Sequence, residues 1–167
     1  MKNFKYLQSI FILSIILGIS ILVSGCGKKS VNNEITKVEL SESINLAEDV
    51  IRDSYKYKNE HNKEKLLNCY TKRYENIDFR LDNLESIELN SIDLITDEKI
   101  YDSYFKNGSG LINGVKRENV KQYTVKYNIK YKDQSKEPQD SGSYEKIYTL
   151  IRENNSGNWK IDEIGEF

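Results

Sequence analysis

The sequence predicts an α+β domain in which two helices precede a meander of antiparallel strands. Two observations carry that prediction. Leu40, Ile44, Ala47, Ile51 and Tyr55 recur at spacings of four and three, the period of an amphipathic helix. Farther on, Tyr123, Val125, Tyr127, Ile129 and Tyr131 alternate strictly with Thr124, Lys126, Asn128, Lys130 and Lys132. That is the period of an antiparallel strand with one wet face.

The first helix is predicted from about Ser43 to Asn59. Ser41 or Ser43 can cap its start, Glu42, Glu48 and Asp49 suit its early turns, and Lys56 and Lys58 place positive charge near its last carbonyls. Glu60-His61-Asn62 breaks the period. Asn62 then caps a shorter second helix that carries Leu66, Leu67, Tyr70 and Tyr74 on one face. Asn76 to Asn83 is irregular, with Phe79, Leu81 and Leu84 placed to fasten it to the core.

Ile87 and Leu89 alternate with Glu88 and Asn90, and Ile92 and Leu94 resume the apolar phase after a one-residue shift. The shift predicts a bulged strand. Lys99 to Phe105 reads as a second strand, closed by a loop at Asn107-Gly108-Ser109-Gly110. Gln122 to Lys132 is the clearest strand, and Asp133 to Gly142, with Pro138, leads to the next. In Tyr144 to Glu153 both phases are rich in apolar residues, so this strand belongs inside the sheet, covered on both faces. Asn154 to Asn158, containing Gly157, makes a hairpin turn. Trp159 and Ile161 open the last strand, which ends near Ile164.

Ahead of the domain, Met1 to Tyr6 carries Lys2 and Lys5 and no acid, and Ile10 to Val23 is apolar apart from Ser14, Gly18 and Ser20. That run is shorter than the about 20 apolar residues a spanning helix needs, and it has the plan of a signal peptide. Leu22-Val23-Ser24-Gly25-Cys26 resembles the lipobox of bacterial lipoproteins. The resemblance implies a signal peptide over residues 1–25, cleavage that leaves Cys26 as the new N-terminus, and a diacylglyceryl group on its thiol. Two acyl chains hold where one exchanges, because each buried methylene contributes about 0.8 kcal/mol. Residues 26–41, small and polar at their start, read as a lipidated flexible tether, and residues 42–167 as the folded domain. The expected location is the extracytoplasmic side of the cell membrane, with the membrane itself a partner through the Cys26 lipid.

Composition narrows the function. The chain has 25 basic and 26 acidic residues, and cleavage would remove two of the lysines. Mild acidity without a basic run argues against nucleic acid as a partner. Cys69 is the one cysteine besides Cys26, so no internal disulfide framework forms and stability comes from packing. His61 is the single histidine and no thiols cluster, which argues against a transition-metal site. Gly108-Ser109-Gly110 lacks the Lys-Ser/Thr of a phosphate loop. No cofactor and no metal are expected.

The order of elements, the helix pair separated by Glu60-His61-Asn62 and the closing Asn158-Trp159-Lys160-Ile161-Asp162 together carry a resemblance. The chain resembles the cone-shaped α+β fold of ketosteroid isomerase and nuclear transport factor 2, also called cystatin-like. More narrowly, it is similar to bacterial lipoproteins bearing an uncharacterised domain of that superfamily. The resemblance covers roughly residues 42–167. It implies N-terminal helices packed in the concave face of a curved antiparallel sheet.

Isomerases of that superfamily use an inward tyrosine on the first helix, an aspartate base and a second acid facing the tyrosine. By the resemblance Tyr55 falls at the tyrosine and Asp78 is the nearest candidate base, while inward positions of the later strands hold Tyr, Val and Ile. Tyr55, Tyr70, Asp78, Tyr127 and Trp159 are the candidate pocket-lining residues, and no residue is assigned a catalytic role. The reading preferred is a non-catalytic binding or protein-interaction module whose partner is an envelope protein or a small ligand. One alternative is an isomerase- or lyase-like enzyme using Tyr55 and Asp78. Another is a structural component of an envelope assembly.

Overall fold

The computed structural model describes residues 28–153 and 157–166. The signal-peptide segment, Cys26 and residues 154–156 of the expected hairpin turn lie outside the described residues. The chain divides into two compact units, Met1–Lys37 and Val38–Phe167. The second unit holds the sheet.

Helix α1 runs over Lys28–Asn59, ending where the sequence predicted and starting well before Ser43. Residues 28–41, expected as coil, are helical because they contain no glycine or proline and several good helix formers. Ile35, Val38 and Leu40 on this part are exposed. Leu40 therefore does not open the buried stripe, which begins in earnest at Ala47 and continues through Ile51, Ser54 and Tyr55. After His61, at positive φ, the Asn62 side chain accepts a hydrogen bond from the Lys65 N–H at 3.0 Å, the predicted cap.

Helix α2 is only Lys63–Leu67. Tyr70 and Tyr74 are not on its face as expected, because Cys69 to Thr71 leaves the helix to pair as an extended edge. The Ile161 N–H donates to the Cys69 carbonyl at 2.8 Å, and the Thr71 N–H donates to the Ile161 carbonyl at 2.9 Å. This parallel bridge at Tyr70 and Ile161 covers an edge of the sheet that would otherwise present unpaired backbone groups. A short 3-10 turn, Lys72–Tyr74, follows.

The sheet has four strands, β1 Leu84–Leu94, β2 Val120–Tyr131, β3 Gly142–Ile151 and β4 Lys160–Gly165, antiparallel and in sequence order. The predicted bulge in β1 is present. Leu89 opposes Tyr127 while Ser91 opposes Lys126, leaving Asn90 as the extra residue. Its effect is to keep Ile87 and Leu89, then Ile92 and Leu94, packed against the same core.

The Lys99 to Phe105 segment is a helix, not a strand: α3 spans Glu98–Asn107, with the Asp97 side chain capping the Lys99 N–H. Ile100, Tyr101, Tyr104 and Phe105 are one helical stripe (i, i+1, i+4, i+5), and that stripe packs on the face of the sheet opposite α1. A single turn, α4 Gly110–Asn113, occupies the expected loop. Two cores result. Ala47, Ile51 and Tyr55 meet Tyr123, Val125, Tyr148, Leu150 and Ile161 on one face. Tyr101, Tyr104 and Ile95 meet Val120, Ile147 and Ile151 on the other. The predicted two-sided burial of β3 follows from α3.

Candidate functional site

The structure brings several of the predicted tyrosines together and fills the space between them. The Tyr55 and Tyr148 hydroxyls share a hydrogen bond of 2.9 Å inside the core. The Tyr127 ring stands edge-on to Tyr55 at 5.6 Å and lies 5.9 Å from Tyr144. Tyr70 belongs to the same cluster and packs on Tyr74 at 4.7 Å and Phe79 at 5.1 Å. Burial raises the Tyr55, Tyr70 and Tyr148 phenols far above the ordinary tyrosine value, because the phenolate would lose its hydration. These phenols stay protonated, and the Tyr55–Tyr148 pair satisfies the polar tips that buried tyrosines need.

Asp78 is placed elsewhere. It is exposed, and its carboxylate accepts from the Arg80 N–H at 2.9 Å. That contact is an Asx turn, and it helps hold Arg80 at a φ of 50°. The acid and the tyrosine proposed as partners are each committed to another group.

A second acid, Asp162, is inward although no sequence signal marks it. Thr149 opposes Glu163 and Leu150 opposes Ile161, so Asp162 is the extra residue of a bulge in β4. A bulge re-aims a side chain, and here it carries a carboxylate into the interior. Its Oδ1 accepts from the Thr71 hydroxyl at 3.0 Å. Its Oδ2 accepts from the Tyr104 hydroxyl at 2.8 Å and the Asn113 amide at 3.1 Å. Arg73 adds an ion pair at 3.6 Å and donates to the Asp162 carbonyl at 3.0 Å. Next to it, Glu163 accepts from the Ser109 N–H at 3.0 Å and its hydroxyl at 2.6 Å. The network ties β4 to the 71–73 segment, α3 and α4. Nothing in the alternation of Trp159, Ile161 and Ile164 marks Asp162 as inward, because the bulge breaks the period.

Trp159 lies at the start of β4, buried, with the Arg152 guanidinium 4.8 Å from its ring centroid. Arg152 is oriented by a hydrogen bond from its Nε to the Asn119 side chain at 3.0 Å. The indole N–H of Trp159 has no acceptor among the described residues. Trp159 forms one wall of a cleft of about 490 Å³ with Val50, Tyr57, Cys69, Arg152 and Lys160. A second cavity of about 650 Å³ adjoins it through Arg152 and Lys160 and is lined also by Lys72, Arg73, Gly114 and Asp162. Lys72, Arg73, Arg152 and Lys160, from three separate stretches of the chain, converge here beside a single exposed acid, Glu153, while Asp162 is occupied by its own donors. The nearly balanced net charge hides this local positive lining.

Of the predicted pocket residues, Tyr55, Tyr70 and Tyr127 are core, Trp159 borders open space with Tyr70 at the second cavity's margin, and Asp78 caps a surface turn. Cys26 lies outside the described residues. Among the described residues no group of three or more His, Cys, Asp or Glu is placed to hold a metal ion. Among them, too, no helix is long and apolar enough to cross a membrane.

Residues 48–165 match the model of a family described as a domain of unknown function, DUF4829. The match begins at the buried part of α1 and ends with β4. No curated protein and no solved structure matches the chain.

Proposed function

The chain belongs to the DUF4829 family, and from that premise we propose that it is a lipid-anchored, extracytoplasmic and non-catalytic binding module. In this reading Cys26 carries the anchor, and the domain is a member of the cone-shaped, nuclear-transport-factor-2-like superfamily. The ligand or partner is engaged outside the tyrosine core, in the cleft at Trp159 and Arg152. One contrast carries the reading. Tyr55, the residue the resemblance would make functional, is packed in the core with Tyr127 and Tyr148, whereas an aromatic and cationic wall faces open volume at Trp159, Arg152 and Lys160. Such a surface, apolar with a few fixed polar groups, is what a binding site presents. The cations select a partner that carries negative charge at this point.

A photo-crosslinking side chain placed at Asn158, at the mouth of both cavities, tests the reading on whole cells. A discrete adduct is expected, recognised by its mass, and it should disappear in an Arg152→Glu background. Absence of any adduct from Asn158, or adducts indifferent to Arg152→Glu, overturns the cleft as the binding site.

A further inference from the structure

We infer that the Leu111–Ile112 turn is a membrane-contact tip that docks the domain on an anionic phospholipid surface. Leu111 is 68% exposed and Ile112 is 89% exposed, although the turn that carries them is tightly held from beneath. A Cβ on Gly110 would lie 2.6 Å from the Tyr104 ring, so the backbone rests directly on α3. Ser109 is bound to Glu163 through its N–H and its hydroxyl, and Arg73 also donates to the Ser109 hydroxyl. Asn113 donates to Tyr104 at 2.8 Å and to Asp162. Gly114, in the left-handed region at φ 67°, turns the chain away.

Polar groups thus fix both ends of α4 to the interior while its two large aliphatic side chains point into water. A flexible loop exposes apolar groups by accident; here five hydrogen bonds hold them out. Two neighbouring aliphatic side chains offer far less area than a stable protein interface buries, but they suit insertion into a fluid apolar layer.

The charges beside the tip select the layer. Lys72 lines the same cavity as Asn113 and Gly114, across which Glu153 is the one exposed acid, and Lys116 follows two residues after Gly114. Neither lysine forms an ion pair among the described residues. The acids beneath the turn, Asp162 and Glu163, are spent on internal donors. Aliphatic side chains flanked by free lysines match anionic headgroups above acyl chains, where each lysine adds attraction that fades within a Debye length. The inference goes beyond the cleft at Trp159 and stands whether or not Cys26 is acylated.

The test uses the full chain reconstituted into vesicles, with Ile112→Trp as a reporter against the buried native Trp159. Vesicles of brominated phosphatidylcholine are compared with vesicles that also contain brominated phosphatidylglycerol. With phosphatidylglycerol present, Ile112→Trp should shift its emission to the blue and be quenched by the brominated chains. Adding Lys72→Glu and Lys116→Glu should remove most of that quenching without altering the circular dichroism. Emission that stays that of a water-exposed indole in both vesicle types overturns the tip. Equal quenching with and without phosphatidylglycerol overturns the anionic surface as its target.

Discussion

The side-chain amide of Asn59 pairs with both backbone groups of Ile87. Its Nδ2 donates to the Ile87 carbonyl at 2.7 Å, and its Oδ1 accepts from the Ile87 N–H at 2.8 Å. Asn59 is the last residue of α1 and β1 is an edge strand, so the amide stands in for a neighbouring strand over one residue. It satisfies groups that would otherwise be stranded and fixes the end of the helix to the register of the sheet.

Asn59→Ala removes both partners at once and should cost about 1–3 kcal/mol. Asn59→Asp keeps an acceptor for the Ile87 N–H but sets a carboxylate against the Ile87 carbonyl, and should be no less damaging. Denaturant midpoints at an unchanged slope measure both. Midpoints equal to that of the parent chain would show that the pairing contributes nothing.

The faces of β2 set a second expectation. Val125 is fully buried against α1, so Val125→Asp buries a charge without a partner and should cost about 4 kcal/mol or prevent folding. Lys126 points the other way and pairs with Glu145 at 3.5 Å, both exposed. Lys126→Asp should cost about 0.5 kcal/mol, the scale of an exposed ion pair. Comparable melting temperatures for the two variants would reverse the assignment of faces.

These faces were legible in the sequence because strict alternation leaves one solution. The bulge in β1 was legible for the same reason, since the phase shift between Leu89 and Ile92 has to be absorbed somewhere. Helix α3 is not legible because Lys99 to Phe105 is too short for its period to decide between helix and strand, and only the Asp97 cap favours the helix. The early start of α1 is not legible because Ile35, Val38 and Leu40 mark no buried face. Asp162 was invisible since a charged residue on a terminal strand ordinarily faces water, and only the bulge turns it inward. The cation-lined cavity joins positions 72, 73, 152 and 160, a convergence that tertiary structure alone creates.

Asp162 holds together four segments, and its role as a fastener can be separated from chemistry. Asp162→Ala leaves the Thr71 and Tyr104 hydroxyls without their acceptor, takes one of two acceptors from Asn113 and strips Arg73 of its counterion, a loss of about 3–5 kcal/mol. Tyr104→Phe removes one of the donors and should cost about 1 kcal/mol. Because both changes touch one network, the double variant should cost less than the two together, by about 0.5–3 kcal/mol. Strict additivity by chemical denaturation would mean that Tyr104 and Asp162 act independently.

Anchoring is tested at Cys26. If the thiol carries a diacylglyceryl group, Cys26→Ala abolishes incorporation of labelled acyl chains and releases the protein, processed or unprocessed, from tight detergent-dependent membrane association. Acyl label retained by Cys26→Ala would refute the lipoprotein reading. The two-chain requirement makes the expected change large, since a single chain or none binds only reversibly.

Lys58 gives the stability of the domain a distinctive alkaline profile. Its ammonium lies 5.0 Å from the Tyr55 ring centroid, and it makes no ion pair among the described residues. Burial lowers its pKa to about 8, against roughly 10.4 for an unfolded lysine. Below pH 8 both states hold the proton and the cost of the buried charge is felt in full. Above pH 8 the folded chain releases a proton that the unfolded chain keeps, so stability rises with pH, by at most about 1.4 kcal/mol for each pH unit. Cys69 opposes this, because burial raises its thiol to about 11. From about pH 8.5, the value of a free thiol, the folded chain retains a proton that the unfolded chain loses. The buried tyrosines act in the same sense above about pH 10. Stability should therefore climb between pH 8 and 9, level off and then fall. Lys58→Met should be more stable than the parent at pH 7 and show no climb. Parallel profiles for the two chains, read by thermal unfolding from pH 7 to 10, would show that Lys58 is hydrated and carries no such cost.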